Sequence, residues 1–339
     1  KYKEQYKQLG CYVPIKPLKI FSGYLTKNSI NSWQVVPENI ICNYVSPILN
    51  PIAFRKVYED KNIYGKLFKA EALPKTLLRK MGGINLTENY IPIDLTNQQL
   101  TLVLIEYNRV IVKPTIDTSS GRGVKLFERG SDNEFHLVNQ DEVILTSEFL
   151  DGEYGNNYII QECIEQSDFM AALNKDSVNT FRIGSYRSVE DNQPKILFVG
   201  IRMGVKGSYV DNTHAGGAKI RVNMDGTLAD YAVEGFGDIV ETHNDINFKT
   251  HHLKVPNFDK IISFVKNLHL ALPHMRLVAF DVMLDKNNEP KLIEYNISGF
   301  STWLPQWTGQ NVLGDYTDEI INYCAKNKDK ALKVAYFIN

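Results

Sequence analysis

Apolar positions cluster in short runs separated by turn residues through the middle of the chain, and recur at helical spacing towards its end. Residues 1 to about 60 interleave short apolar runs with Pro14, Pro17, Pro37, Pro47 and Pro51. That pattern predicts a small loop-rich segment without a long helical stripe or regular strands. From 59 to 81 the composition turns helical, broken at Pro74 and stopped by Gly82-Gly83. Residues 97–106 suit a further helix, and the β-branched run RVIVK at 109–113 predicts a buried strand ahead of Pro114. A Ser/Gly-rich stretch, 115–123, then predicts a loop before an apolar strand at 124–127.

Further strands are expected at 158–164, 180–186, 195–203 and 218–223, the last ended by a turn at Asp225-Gly226. Helical stripes at 258–270 and 315–325 bracket two more strands, 277–284 and 291–297. The fold class expected from this order is α+β. Internal repeats, low-complexity tracts and blocks of like charge do not occur.

Composition narrows the function. The 339 residues are 43% hydrophobic and 23% charged, which suits two or three packed domains and excludes a disordered chain. Lys plus Arg number 38 against 39 Asp plus Glu, so no basic excess favours nucleic acid or anionic lipid. No apolar run approaches the roughly 20 residues that span a bilayer, the candidate around 102–105 stopping at Glu106, so no membrane span is expected. Cys11, Cys42, Cys163 and Cys324 lie far apart without a CxxC pair, and a reducing cytoplasmic setting is the expectation. The first residues are charged and carry no apolar leader core.

The stretch MRLVAFDVMLDKNNEPKLIEYNISG, 275–299, holds the most chemistry. Two apolar runs flank a turn-rich centre, so an antiparallel hairpin is expected. Pairing Met283 with Leu292 places Asp281 opposite Glu294, and Asn296 points the same way because side chains alternate faces. Two carboxylates about 5 Å apart repel by roughly 3 kcal/mol at an effective dielectric near 20. A cation or shared proton resolves that conflict, and an oxygen-only set favours Mg²⁺ or Mn²⁺ over zinc. Solvent-facing strand residues or salt-bridge partners are the plain alternative.

In VIVKPTIDTSSGRGVKLF, Lys113 ends a strand and a Ser/Gly loop follows, an arrangement that lets backbone N–H groups approach a phosphate. Ordinary connecting loops share that composition, and neither GxxxxGK[ST] nor GxGxxG occurs. YIIQECIEQSDF is an apolar strand breaking into polar residues; as an edge it would offer backbone groups to adenine, with Asp168 placed for ribose hydroxyls. Arg182 and Arg202 lie in apolar strand contexts and each is expected to meet a carboxylate or phosphate. The loop 205–217, with Asn212 and His214, is a candidate cover for a ligand or a plain surface loop. His243, His251 and His252 lack metal-ligand spacing, and Phe300, Trp303 and Trp307 fit either an acceptor pocket or core packing.

The order of these motifs, Asp60-Lys61 opening a helix, VKP with SSGxGV, QEC, DVMLD and EYN, resembles the ATP-grasp superfamily over about 59–301. The N-terminal block with TFRIG and HAGG is most similar to its sugar-transfer-associated group, which is linked to cell-surface polysaccharide biosynthesis. The resemblance implies an ATP-grasp fold of two α+β subdomains clasping a nucleotide: a segment 1–58, a subdomain 59–160 with a phosphate lid, and a subdomain 161–339 with the metal site. It implies ATP and Mg²⁺, with Lys61 and Lys113 on phosphates and Ser119, Ser120, Gly121 and Gly123 in the closing loop. Gln161, Glu162 and Ile164 would form the adenine hinge, Asp168 the ribose acid, Asn212 and His214 further nucleotide contacts, and Asp281, Glu294 and Asn296 the metal ligands. Many ligases of the superfamily carry an arginine two residues before the metal aspartate; here that residue is Ala279, and Arg202, Arg182 or Arg276 would replace it.

The activity so implied is an ATP-dependent carboxylate-amine ligase passing through an acyl phosphate, with small, sugar-linked carboxylate and amine substrates. Phosphorylation of a small hydroxyl, or nucleotide binding without turnover, uses the same residues.

Overall fold

Alternating apolar runs assemble into two seven-stranded sheets in a computed structural model that describes residues 2–10, 35–116, 121–204, 217–235, 237–300 and 302–330. Contacts divide the chain into a smaller unit, 57–165, and a larger one made of 1–56 with 166–339. Residues 1–56 therefore pack with the C-terminal part of the chain, whereas the sequence pattern set them apart as a segment of their own.

The smaller unit's sheet comprises β1 (Thr76–Met81), β2 (Ile84–Thr87), β3 (Arg109–Pro114), β4 (Lys125–Arg129), β5 (Phe135–Leu137), β6 (Gln140–Ile144) and β7 (Tyr158–Glu162). Their order is β2-β1-β7-β3-β4-β5-β6, and every pairing is antiparallel. Helices α1 (Asn97–Leu104) and α2 (Ser147–Tyr154) contribute Leu100, Leu104 and Leu150 to a core with Leu78, Val110, Val112, Phe127 and Ile160. Each helix starts at a threonine whose hydroxyl accepts from the third amide on, Thr96 from Gln99 and Thr146 from Phe149.

Two expectations change here. Residues 59–81 form only single turns up to Ala72 before β1 begins, and Gly82-Gly83 is the two-residue loop of the β1–β2 hairpin. Both glycines have positive φ, 55° and 89°, as the tight turn that matches strand twist requires. β7 is also not an edge: β1 and β3 pair with it on either side.

The larger unit's sheet holds β8 (Thr180–Arg187), β9 (Pro194–Met203), β10 (Ala218–Val222), β11 (Leu228–Glu234), β12 (Asp238–Val240), β15 (Leu277–Leu284) and β16 (Pro290–Asn296). A separate ribbon, β13 (Thr242–His243) with β14 (Ile246–Asn247), precedes helix α3 (Phe258–Leu270). The sheet order is β12-β11-β10-β9-β8-β15-β16. Buried positions on α3, Phe258, Ile261, Val265 and Leu268, recur at three to four residues and form its packing stripe.

A second core joins Val35, Val36, Ile40, Ile41 and Leu49 to Phe198, Val233, Leu277 and Ala279 of the sheet, and to Trp307, Ile320 and Cys324. Asn50 ties the N-terminal segment to this sheet. Its Nδ2 donates to the carbonyls of Leu277 (2.7 Å) and Ile297 (2.9 Å), and its Oδ1 accepts from the amides of Arg276 (2.8 Å) and Leu277 (2.9 Å). Gly184 in TFRIG has a packing reason: a Cβ there would lie 2.3 Å from the Phe198 ring. No helix among the described residues is long and apolar enough to cross a membrane.

Candidate active site

Strand alternation builds the site on one face of the larger sheet. Arg182 on β8 is the register partner of Asp281 on β15, which in turn faces Glu294 on β16. Register partners share a face, so the three side chains form a row. Asn296 lies two residues beyond Glu294 and donates from Nδ2 to Asp281 Oδ2 at 3.3 Å. The expected pairing of Asp281 with Glu294 holds, but Met283 faces Lys291 rather than Leu292, because the register shifts between Asp281 and Val282. Ile293 is the extra residue, a bulge that leaves it half-buried instead of on the core face with Tyr295.

Asp281 is only 3% exposed and is surrounded by cations. Arg182 Nε lies 2.7 Å from Oδ1, and Arg202 Nη2 lies 3.3 Å from Oδ2. Arg202 also donates from Nε and Nη2 to Thr180 Oγ1, at 3.1 and 2.9 Å, which orients its plane. The repulsion between two neighbouring carboxylates is therefore offset, at least at Asp281, by guanidinium groups of the chain itself. Both arginines are half-buried and both meet a carboxylate, as expected for guanidinium groups in apolar strands. Arg276 does not join them; its Nη1 donates to the carbonyls of Arg187 and Ser188.

Asp281, Glu294 and Asn296 fit a hard divalent ion in donor type, since all offer oxygen and each carboxylate oxygen keeps lone pairs beyond those given to an N–H. Glu294 and Asn296 are half-buried, accessible from one side.

In the smaller unit, Asp60 caps the turn Lys61–Ile63 by accepting from the Asn62 amide at 2.9 Å. The Lys61 amide donates to the Thr115 carbonyl, two residues past Lys113, and Asn62 Nδ2 bonds both the Lys80 carbonyl and Thr115 Oγ1. Both lysines are buried on this framework. Gly121 and Gly123 have positive φ, 72° and 77°, and a Cβ on Gly123 would come within 3.1 Å of Pro114. Ser119, Ser120, Asn212 and His214 lie outside the described residues.

Gln161 is buried in β7 and donates from Nε2 to the Pro74 carbonyl at 3.3 Å, while Glu162 Oε1 accepts from the Lys75 amide at 2.8 Å. Those two side chains are engaged within the sheet; Ile164 lies beyond the strand and is half-buried. Asp168 is exposed in the first turn of the helix Asp168–Leu173 of the larger unit. Of the aromatic residues after the hairpin, Phe300 and Trp307 are core residues, with Phe300 edge-on to Phe198 at 5.6 Å. His243 is buried between Glu234 Oε1 (2.9 Å) and the Gly204 carbonyl (3.0 Å).

Sequence reasoning passed over Lys219, which joins the sheet face of Arg202 from β10. The signal was present: in AKIRV the polar residues alternate with apolar ones, so Lys219 and Arg221 project from one face of a strand.

The family model described as sugar-transfer associated ATP-grasp matches residues 42–322. The chain belongs to that family, and with it to the α+β ATP-grasp fold. Among solved structures it is similar to D-cycloserine synthetase DcsG, at 9% identity over 83% of this chain and 73% of that one, TM-score 0.43. It is also similar to D-alanyl-alanine synthetase A from Vibrio cholerae, at 12% identity over 80% of this chain and 65% of that one, TM-score 0.41. An ADP complex of N5-carboxyaminoimidazole ribonucleotide synthetase matches at 13% identity, TM-score 0.38, over 74% of this chain but only 49% of its own length. No curated protein matches the chain.

Proposed function

We propose that the chain is an ATP-dependent carboxylate-amine ligase that activates its acid as an acyl phosphate, acting on sugar-linked substrates in cell-surface polysaccharide or conjugate biosynthesis. The observation that carries this reading is the Arg182–Asp281–Arg202 cluster standing beside Glu294 and Asn296 on one sheet face of an ATP-grasp chain. A carboxylate oxygen of the acid attacks the γ-phosphorus of ATP and ADP departs; an amine then attacks the acyl carbon, inorganic phosphate departs, and the amine loses a proton. The products balance as ADP, phosphate and an amide.

Within that scheme the residues of the smaller unit, Lys61, Lys113, Gly121, Gly123 and the hinge 161–164, hold the nucleotide, with Ser119 and Ser120 in the same loop. Asp168, Asn212 and His214 are the family-implied candidates for further nucleotide contacts. Asp281, Glu294 and Asn296 would hold Mg²⁺, or Mn²⁺ in its place, which supplies positive charge to the transferring phosphoryl group. Arg182 and Arg202 supply the guanidinium groups absent at Ala279, positioned by Asp281 and Thr180 to neutralise charge on the acyl phosphate. The family's description, sugar-transfer associated, is what supports sugar-linked substrates in this reading.

ADP release tests the proposal directly. Turnover that needs a carboxylate and an amine together, with amide formed in equal amount, is the expected result across a panel of uronic acids, amino acids and amino sugars. ADP formed with an alcohol alone would make the protein a kinase, and Mg-ATP binding without turnover on any member would make it a nucleotide-binding module.

A further inference from the structure

The sheet face that carries Asp281 continues past Arg202 to Lys219. Lys219 and Arg202 are register partners on β10 and β9, so their side chains project from the same side. Lys219 is 5% exposed, with Nζ 4.0 Å from the centre of the Trp307 ring and 3.5 Å from the Gly235 carbonyl. A buried ammonium is normally matched by a carboxylate. Among the described residues none contacts this one. Asp281 is already engaged by Arg182, Arg202 and Asn296. Glu234 pairs with Ala218, which turns it to the opposite face, where it binds His243. Two cations thus stand side by side on the site face, one of them sealed against an indole.

We infer that Lys219, with Arg202 beside it, takes the carboxylate of the acid substrate and sets the protein's preference for acids over neutral acceptors. This rests on the ligase reading for the identity of the anion. Trp307 closes the apolar side of the subsite, so the carboxylate loses water on entry and the charge-assisted bond gains strength. Among the described residues the charged groups on the face of Lys219 are Arg202 across the strand, Arg221 two residues along β10, and, beyond Arg202, Arg182 and Asp281. Burial and then the Arg202 charge push the Lys219 ammonium down to about 8. Carboxylate affinity should consequently be full below that pH and fall as the pH rises through it, because the neutral amine cannot attract an anion.

Lysine-labelled full-length protein followed by NMR reads this out, with acetate and glucuronate as carboxylate probes, glucose as the neutral control and sulfate as a different anion. The Lys219 signal, identified by its loss in Lys219→Arg, should titrate at higher pH with either carboxylate and stay put with glucose. Lys219→Met should weaken glucuronate binding by roughly tenfold or more, whereas Lys219→Arg should retain it and lose the fall near pH 8. A Lys219 signal indifferent to both carboxylates, or one moved by sulfate alone, would overturn the assignment. Mg-ATP binding measured on the same samples separates the two proposals: its absence with a responsive Lys219 sinks the ligase, and the converse sinks only the subsite.

Discussion

Arg182 Nε stands 2.7 Å from Asp281 Oδ1 across two neighbouring strands, so an ion pair between a buried carboxylate and a half-buried guanidinium is the centre of the larger sheet's polar face. Removing the buried carboxylate leaves the half-buried Arg182 and Arg202 without this partner, which costs about 1–3 kcal/mol, below the penalty for a fully buried pair because water reaches both guanidinium groups. Asp281→Ala should therefore lose stability by that order in urea denaturation, as well as turnover. Glu294→Gln, at a half-buried position with an isosteric change, should abolish turnover while its denaturation midpoint stays near wild type. Wild-type turnover in Glu294→Gln would remove Glu294 from the proposed metal set.

Lys113 is buried at the end of β3 while its neighbour Thr115 holds the Lys61 amide. If Lys113 binds phosphate as proposed, it supplies a charge-assisted bond, and Lys113→Ala should weaken ATP binding by roughly 1.5–3 kcal/mol in calorimetry. An unchanged ATP affinity would separate Lys113 from the phosphates.

Much of this arrangement was legible in the residues. Runs such as RVIVK and LVAFDVML, β-branched or continuously apolar and bounded by turns, located β3 and β15, while the facing of Asp281 and Glu294 came from a hairpin register that holds at that pair but not at Met283, where the bulge shifts it. β1 was not legible: TLLRKM carries helix formers, and only pairing with β2 and β7 makes it a strand. The bulge at Ile293 escaped because neither it nor Glu294 is fully buried, so the apolar pattern does not mark where the register slips. The placement of residues 35–56 rests on long-range contacts that local pattern does not carry, among them the bonds of Asn50, whose partners lie more than 220 positions away, and the packing of Val36 and Ile40 on the second core.

That asparagine makes a prediction of its own. Asn50 is fully buried with two donated and two accepted bonds, so Asn50→Ala takes this partner from the Leu277 carbonyl and the Arg276 and Leu277 amides, while the Ile297 carbonyl keeps the Ser46 hydroxyl. A loss of about 2–3 kcal/mol is expected in chemical denaturation, with no direct effect on the residues around Asp281. A neutral result would mean that water replaces the amide in full.

His269 gives the fold's stability a pH dependence of its own. It is fully buried on α3, its Nε2 donates to the Met275 carbonyl at 3.1 Å, and its Nδ1 therefore accepts from Ser185 Oγ at 2.7 Å. Protonation would break the Ser185 bond and bury a charge; burial chiefly, with Arg187 and Arg276 adding repulsion, pushes the imidazole down to about 3. The sign follows from proton counting. Below the ordinary histidine value near 6.5 the unfolded chain binds a proton that the folded chain refuses, so stability is full above that pH and falls by about 1.4 kcal/mol per pH unit towards 3. Carboxylates titrate over the lower part of that range, so the contribution is isolated by comparison. His269→Gln, which keeps a donor for the Met275 carbonyl, should show a shallower loss between pH 6.5 and 5 than wild type in urea denaturation. Parallel profiles for the two proteins would mean that His269 is protonated in the fold and that Ser185 has another partner.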